Sequence, residues 1–73
     1  MKTYINSDIQ TLTLTYLEEG EVKTTTFITE QEFKDFLLEH NIPLLVSNAR
    51  NYSNLEDSEI VEQYTALQTY LNS

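Results

Sequence analysis

Between Thr29 and Asn41 the chain carries start, face and stop signals for one helix, TEQEFKDFLLEHN, and any fold it adopts must cover that helix's apolar side. The Thr29 hydroxyl can accept from an orphan N–H of the first turn, and Glu32 three residues on completes a capping box. Ile28 before the cap and Phe33 four residues after it predict a hydrophobic staple. Glu30 and Glu32 lie at the positive end of the helix dipole. Phe33, Phe36, Leu37 and His40 recur at helical spacing as a single stripe. Asn41 tolerates the left-handed conformation that ends helices, and Pro43 forbids continuation.

The cover for that stripe is predicted upstream. Thr11 to Leu17, TLTLTYL, alternates strictly, and Val22 to Ile28, VKTTTFI, is β-branched and aromatic, so both read as strands. Glu18-Glu19-Gly20 between them suits a three-residue hairpin loop with Gly20 at the left-handed position. That loop pairs Leu17 with Glu21 and Tyr16 with Val22. Leu12, Leu14, Tyr16, Val22, Thr24, Thr26 and Ile28 are then expected to face the helix, leaving Thr11, Thr13, Thr15, Lys23, Thr25 and Phe27 on the wetter face.

A two-stranded hairpin is marginal, which calls for a third strand. Ile42 to Val46 is the first choice and Tyr4 to Ile9 the second, with turn chemistry in Asn6-Ser7-Asp8. A short helix from Pro43 to Asn48 competes for the first segment, since proline is at home in a first helical turn. Ser47 to Ser53 reads as a polar connection. Ile60, Tyr64, Leu67 and Leu71, spaced four, three and four, make the seam of a second helix, with Ser53, Asn54 or Asp57 as its cap and Ser53 with Glu56 as a capping box. The expected architecture is a single α+β domain over residues 1–73: a small antiparallel sheet built on a β-hairpin, with two helices packed on one face.

A chain of 73 residues buries only about 60% of the surface it exposes unfolded, so its margin of stability is small. It has no cysteine, hence no disulfide and no thiolate metal site, which suits a reducing compartment. Its longest uninterrupted apolar run, Leu44 to Val46, falls far short of the ~20 residues that span a bilayer. The first residues lack a secretory pattern. The expectation is a soluble protein of a bacterial cytoplasm. Twelve acidic residues against four basic ones give a formal net charge of -8. That bias disfavours direct binding to nucleic acid or to an anionic membrane and complements a basic protein partner. Solubility is the plainer use of the same charge.

No residue set points to catalysis. His40 is the sole histidine, at a helix C-terminus where its proton is favoured, and it lacks partners for a zinc site. None of the serines is in a nucleophile-elbow context, and one glycine cannot build a phosphate-cradling loop. Asn51-Tyr52-Ser53 matches a glycosylation sequon without a route to a secretory lumen. The calcium-loop pattern is absent after Asn51 and Asn54. The expectation is a non-enzymatic chain with no cofactor and no metal.

The carboxylates remain. Glu18, Glu19 and Glu21 crown the hairpin tip; Glu32, Asp35 and Glu39 line one flank of the first helix; Glu56, Asp57, Glu59 and Glu62 crowd the start of the second. Complementing helix dipoles accounts for Glu30, Glu32, Glu56, Asp57 and Glu59, and leaves the hairpin trio, Asp35, Glu39 and Glu62 unexplained. Neighbouring carboxylates on a helix flank stand about 5 to 6 Å apart, comparable with phosphates along a strand, so such a surface can occupy a site meant for DNA or RNA. The hairpin trio, Asp35, Glu39, Tyr52, Glu56, Asp57, Glu59 and Glu62 are the expected partner-binding residues, with Tyr52 as an anchor.

A hairpin leading into Thr-Glu-Gln-Glu-Phe, over Thr11 to His40 of a short, acidic, cysteine-free chain, resembles the small phage-borne inhibitors of bacterial defence, anti-CRISPR proteins among them. Those inhibitors share no common motif, so no functional residue carries over. The resemblance implies non-catalytic binding to a nuclease or to its nucleic-acid channel. The alternatives are an immunity protein or antitoxin that neutralises a basic toxin, and a structural subunit that self-associates as a homodimer or larger assembly through a strand edge or the second helix.

Overall fold

The computed structural model describes residues 1–73 and orders them as β1 (Lys2–Asp8), β2 (Thr13–Glu18), β3 (Glu21–Thr26), α1 (Glu30–His40), α2 (Val46–Tyr52) and α3 (Asp57–Leu71). The strands form one antiparallel sheet in the order β1-β2-β3, giving the α+β fold that the sequence predicts, with three helices rather than two.

α1 forms where its signals place it. Thr29 Oγ1 accepts from the Glu32 N–H at 3.2 Å, and Asn41 takes the left-handed conformation (φ 46°) with its N–H donating to the Leu37 carbonyl at 3.1 Å. Phe33 and Leu37 are buried, and the exposed His40 meets Phe36 at a tilt, with ring centroids 4.4 Å apart. The expected staple does not form. Ile28 is 88% exposed, and the ring that meets Phe33 edge-on at 5.7 Å is Phe27.

That exchange follows from the hairpin turn, which has two residues instead of three. Glu19 (φ 52°) and Gly20 (φ 81°) both lie at positive φ, as in the type I′ turn whose twist matches that of its strands. Glu18 therefore pairs with Glu21, Leu17 with Val22 and Tyr16 with Lys23. Opposed residues share a face, so a slip of one residue turns all of β3 over. Leu14 and Tyr16 face α1 as expected, but Lys23, Thr25 and Phe27 stand beside them, while Val22, Thr24 and Thr26 join Thr13, Thr15 and Leu17 on the outer face. Two interactions favour this register. Phe27 packs its ring on both Phe33 and Phe36, and the Thr13–Thr26 and Thr15–Thr24 hydroxyls meet across the strands at 3.3 Å.

The third strand is β1, not Ile42 to Val46. Asn6, Ser7 and Asp8 continue the strand, and the chain reverses over 9–12 instead, where Asp8 Oδ1 accepts from the Gln10 N–H at 2.9 Å. A bulge at Ile5 lets Tyr4 pair with Tyr16 and Asn6 with Thr15, so the successive residues Tyr4 and Ile5 are both buried. After α1, Ile42 enters the core, and Leu44 makes a single parallel bridge to Tyr4, whose N–H donates to the Pro43 carbonyl at 3.0 Å. Pro43 has no N–H to offer a ladder, so pairing stops there. The stretch read as a polar connection, Ser47 to Ser53, is instead most of α2, which lies against β1 and α3 with Ala49 fully buried.

α3 is the second helix predicted, with Ile60, Tyr64, Leu67 and Leu71 all turned inward. Its start differs: Glu56 occupies the cap position and its N–H donates to Glu59 Oε1 at 3.3 Å, while the Ser53 hydroxyl accepts from the Leu55 N–H at 3.0 Å instead of capping. The Tyr64 hydroxyl donates to the Ile42 carbonyl at 3.1 Å, and Tyr70 packs on Phe33 near the start of α1, so α3 runs antiparallel to α1. The core is Tyr4, Leu14, Tyr16, Phe33, Leu37, Ile42 and Leu67.

Two stability measurements check this arrangement. Left-handed φ costs an ordinary L-residue roughly 1 to 2 kcal/mol and asparagine less. Glu19→Asn is thus expected to raise stability by about 1 kcal/mol in chemical denaturation, whereas a three-residue loop would gain nothing from it. A domain of this size has about 4 to 11 kcal/mol in total. Phe33→Ala, at about 3 to 5 kcal/mol, is expected to remove a large share of that margin, seen as a marked fall in the denaturation midpoint followed by far-ultraviolet dichroism.

Candidate functional site

The surface is defined by what becomes of the four basic side chains. On β2, Glu18 takes two of them: Lys2 Nζ lies 2.6 Å and Lys23 Nζ 3.2 Å from its two carboxylate oxygens. Lys2 belongs to β1 and Lys23 to β3, so one carboxylate ties together all the strands of the sheet. The hydrogen bonds from Lys2 and then Lys23 hold the Glu18 carboxyl below its ordinary value, and Glu18 in turn raises the Lys23 ammonium. Arg50 on α2 reaches Asp57 at the start of α3 at 3.4 Å. Lys34 stands over the Tyr70 ring, 4.6 Å from its centroid, a cation–π contact. Every basic residue therefore has an internal partner.

The acids do not. Of twelve, only Glu18 and Asp57 form ion pairs, and ten are left without a cation. Among the residues singled out from the sequence, Glu18 is thus a structural tie and not a free carboxylate. The others occupy two regions. Glu19 in the turn and Glu21 directly after it lie at the end of the sheet where Lys2 pairs with Glu18. Glu39 belongs to the same end, because the C-terminus of α1 and the start of β1 line one depression through Met1, Lys2, His40, Asn41 and Pro43. Asp35 sits midway along α1 and accepts from Gln31 Nε2 at 2.8 Å.

The second region is the first half of α3. Glu56, Asp57, Glu59 and Glu62 are all exposed; the Arg50–Asp57 pair ties α2 to this region, and Tyr52 at the end of α2 is 51% exposed. Glu59 and Glu62 border a depression of about 290 Å³ whose floor, Gln63 and Ala66, is shared with a neighbouring one of about 420 Å³ walled by Asn6 to Gln10. The two acidic regions lie at opposite ends of β1. Asp8 and Gln63, which help to shape the second, escape any reading of the sequence, being 55 positions apart with no motif to join them. Gln63 Oε1 is buried there without a hydrogen-bond partner.

No three acidic or histidine side chains converge closely enough to hold a metal ion. The most enclosed cavity, between α1 and α3, measures about 70 Å³ and is lined mainly by apolar residues including Leu37, Ile42, Leu67 and Leu71. Ligand pockets for small organic molecules are about 300 Å³ or larger, so this one admits little more than water. No helix is long and apolar enough to cross a membrane. No protein-family model, curated protein or solved structure matches the chain.

Two tyrosines provide a check on this geometry. Tyr4 is raised above the ordinary phenol value chiefly by burial, and Tyr70 by burial together with the hydrogen bond it donates to Glu30 Oε1 at 2.9 Å. A group raised in the folded state contributes stability below its unfolded pKa and loses it as pH climbs through the folded value. Ultraviolet titration should therefore show two phenols ionising above the ordinary tyrosine range, with stability falling as they do. Glu18 behaves in the opposite sense. Its carboxyl is lowered, so its contribution is complete above the unfolded glutamate value and fades as pH falls through the folded one, and carboxyl NMR should find it protonating below the ordinary glutamate range.

Proposed function

We propose that this chain is a non-enzymatic binding protein that inhibits a basic, nucleic-acid-binding protein of a bacterial cell, such as the nuclease complexes targeted by anti-CRISPR and other anti-defence inhibitors. One observation carries the reading: all four basic side chains are occupied within the fold, while ten carboxylates face outward unpaired. Concentrating like charge on so small a body opposes folding, and a partner of opposite sign relieves that repulsion when it binds. The corner between α2 and α3 adds what a contact surface needs besides charge, an exposed aromatic ring at Tyr52, four residues before Glu56 where the acids of α3 begin. Glu19, Glu21 and Glu39 at the hairpin end supply the field that speeds encounter. The same surface would serve an immunity protein against a basic toxin, and the identity of the captured protein separates the two.

The test is capture from bacterial lysate on the tagged chain at low and at high salt, with mass spectrometry of what is retained. The expected result is a basic nucleic-acid-binding protein that salt releases and that added DNA or RNA displaces. Replacing Glu19 and Glu21 by glutamine should slow its association several-fold with little change in dissociation, because peripheral charges act on encounter. Tyr52→Ala should act on dissociation instead. Binding indifferent to salt and to the glutamine substitutions would refute the proposal.

A further inference from the structure

The sheet has two edges, and they are finished differently. At β1 the chain blunts the edge: the bulge at Ile5 breaks its regularity, and Pro43 and Leu44 lie along it, accepting the Tyr4 N–H and forming the bridge. At β3 nothing does. Its register with β2 runs without a shift from Glu21 to Thr26, it contains no proline, and its one lysine, Lys23, is directed to the inner face and held by Glu18.

Which backbone groups point outward follows from the pairing. The Phe27 N–H donates to the carbonyl of Leu12 at 2.9 Å, so the odd-numbered residues of β3 exchange bonds with β2. The N–H and C=O groups of Val22, Thr24 and Thr26 are left facing open solvent. Those three are symmetric about Thr24, and an antiparallel second copy of β3 would place Val22 opposite Thr26, Thr24 opposite Thr24 and Thr26 opposite Val22. Each unpaired donor then meets an unpaired acceptor.

Charge decides the occupant. Two bodies of net charge -8 repel almost anywhere, yet the outer face of β2 and β3 carries Thr13, Thr15, Leu17, Val22, Thr24 and Thr26 and no acid at all. Half-exposed Val22 gains cover, and the Thr15–Thr24 hydroxyl pair would continue across the axis into its mate. We propose that the free edge of β3 pairs with β3 of a second copy of this chain, antiparallel and centred on Thr24, to make a two-fold dimer with a continuous six-stranded sheet. This edge adjoins the acidic hairpin end only at Glu21, the first residue of β3, and the pairing stands whether or not a basic partner exists.

Sedimentation equilibrium from micromolar to millimolar concentration tests it, together with amide exchange. The mass is expected to rise from the monomer's 8.5 kDa towards twice that value, and the amides of Val22, Thr24 and Thr26 to slow in exchange as concentration increases, while those of Lys23 and Thr25 are protected throughout. Thr24→Lys would set like charges face to face at the axis and should weaken association about tenfold or more with the fold intact by dichroism. Thr24→Pro, which removes a donor that the monomer's own ladder does not use, should do the same. A mass that stays at 8.5 kDa throughout, or a dimer that Thr24→Lys leaves unchanged, would overturn the proposal and leave the edge open to a strand from a different protein.

Discussion

Glu19 and Gly20 decide which side of β3 meets the helices. Both lie at positive φ, and a turn of two such residues sets Glu18 opposite Glu21. From that pair the rest of the sheet follows by alternation: Phe27 turns inward to Phe33 and Phe36, and Ile28 is left in solvent. Lys23 comes onto the same face as Glu18, where it can reach the carboxylate. The acid-free outer face exists for the same reason, since the slip that brings Lys23 in takes Val22, Thr24 and Thr26 out. A loop one residue longer would have turned Lys23 away from Glu18 and the Phe27 ring outward together.

The distribution of charge follows from how few cations the chain has and where they are used. Lys2 and Lys23 are drawn to Glu18, Arg50 to Asp57, and Lys34 to the Tyr70 ring. Each of these contacts joins elements that are distant in sequence or meet at a corner. They leave Glu19 and Glu21 at the hairpin tip and Glu56, Glu59 and Glu62 on α3 without a cation. Composition leaves most of the acids without a cation, and the fold decides which, because the same residues paired differently would leave a different face bare. The acid-free strand edge and the acid-rich ends give this small body regions of contrasting chemistry.

The candidate site was only partly legible in the sequence. That Glu19, Glu21, Glu39 and Glu62 would be exposed could be read from their polarity and their positions on a turn or outside a helical stripe. That Glu18 would be taken by two lysines could not, since it rests on a register that one residue of loop length reverses. Nor could the helix that carries Tyr52 and brings Arg50 to Asp57, because α2 has no side-chain cap and no stripe long enough to announce it. It is helical because Ala49 packs where β1 and α3 are already in place.

The sequence by itself determined α1 and the inward seam of α3, together with the existence of a hairpin. Caps, dipole, proline stop and helical period act within a few residues, so Thr29, Asn41 and Pro43 exert their effect wherever the segment lies. Tertiary structure alone decided the facing of β3, the choice of β1 over Ile42 to Val46 as third strand, and the helical state of Val46–Tyr52. Those outcomes compare burial of one side chain against another across the whole molecule. Phe27 against Ile28, or Tyr4 and Ile5 buried together at a bulge, is a contest whose terms no local segment contains.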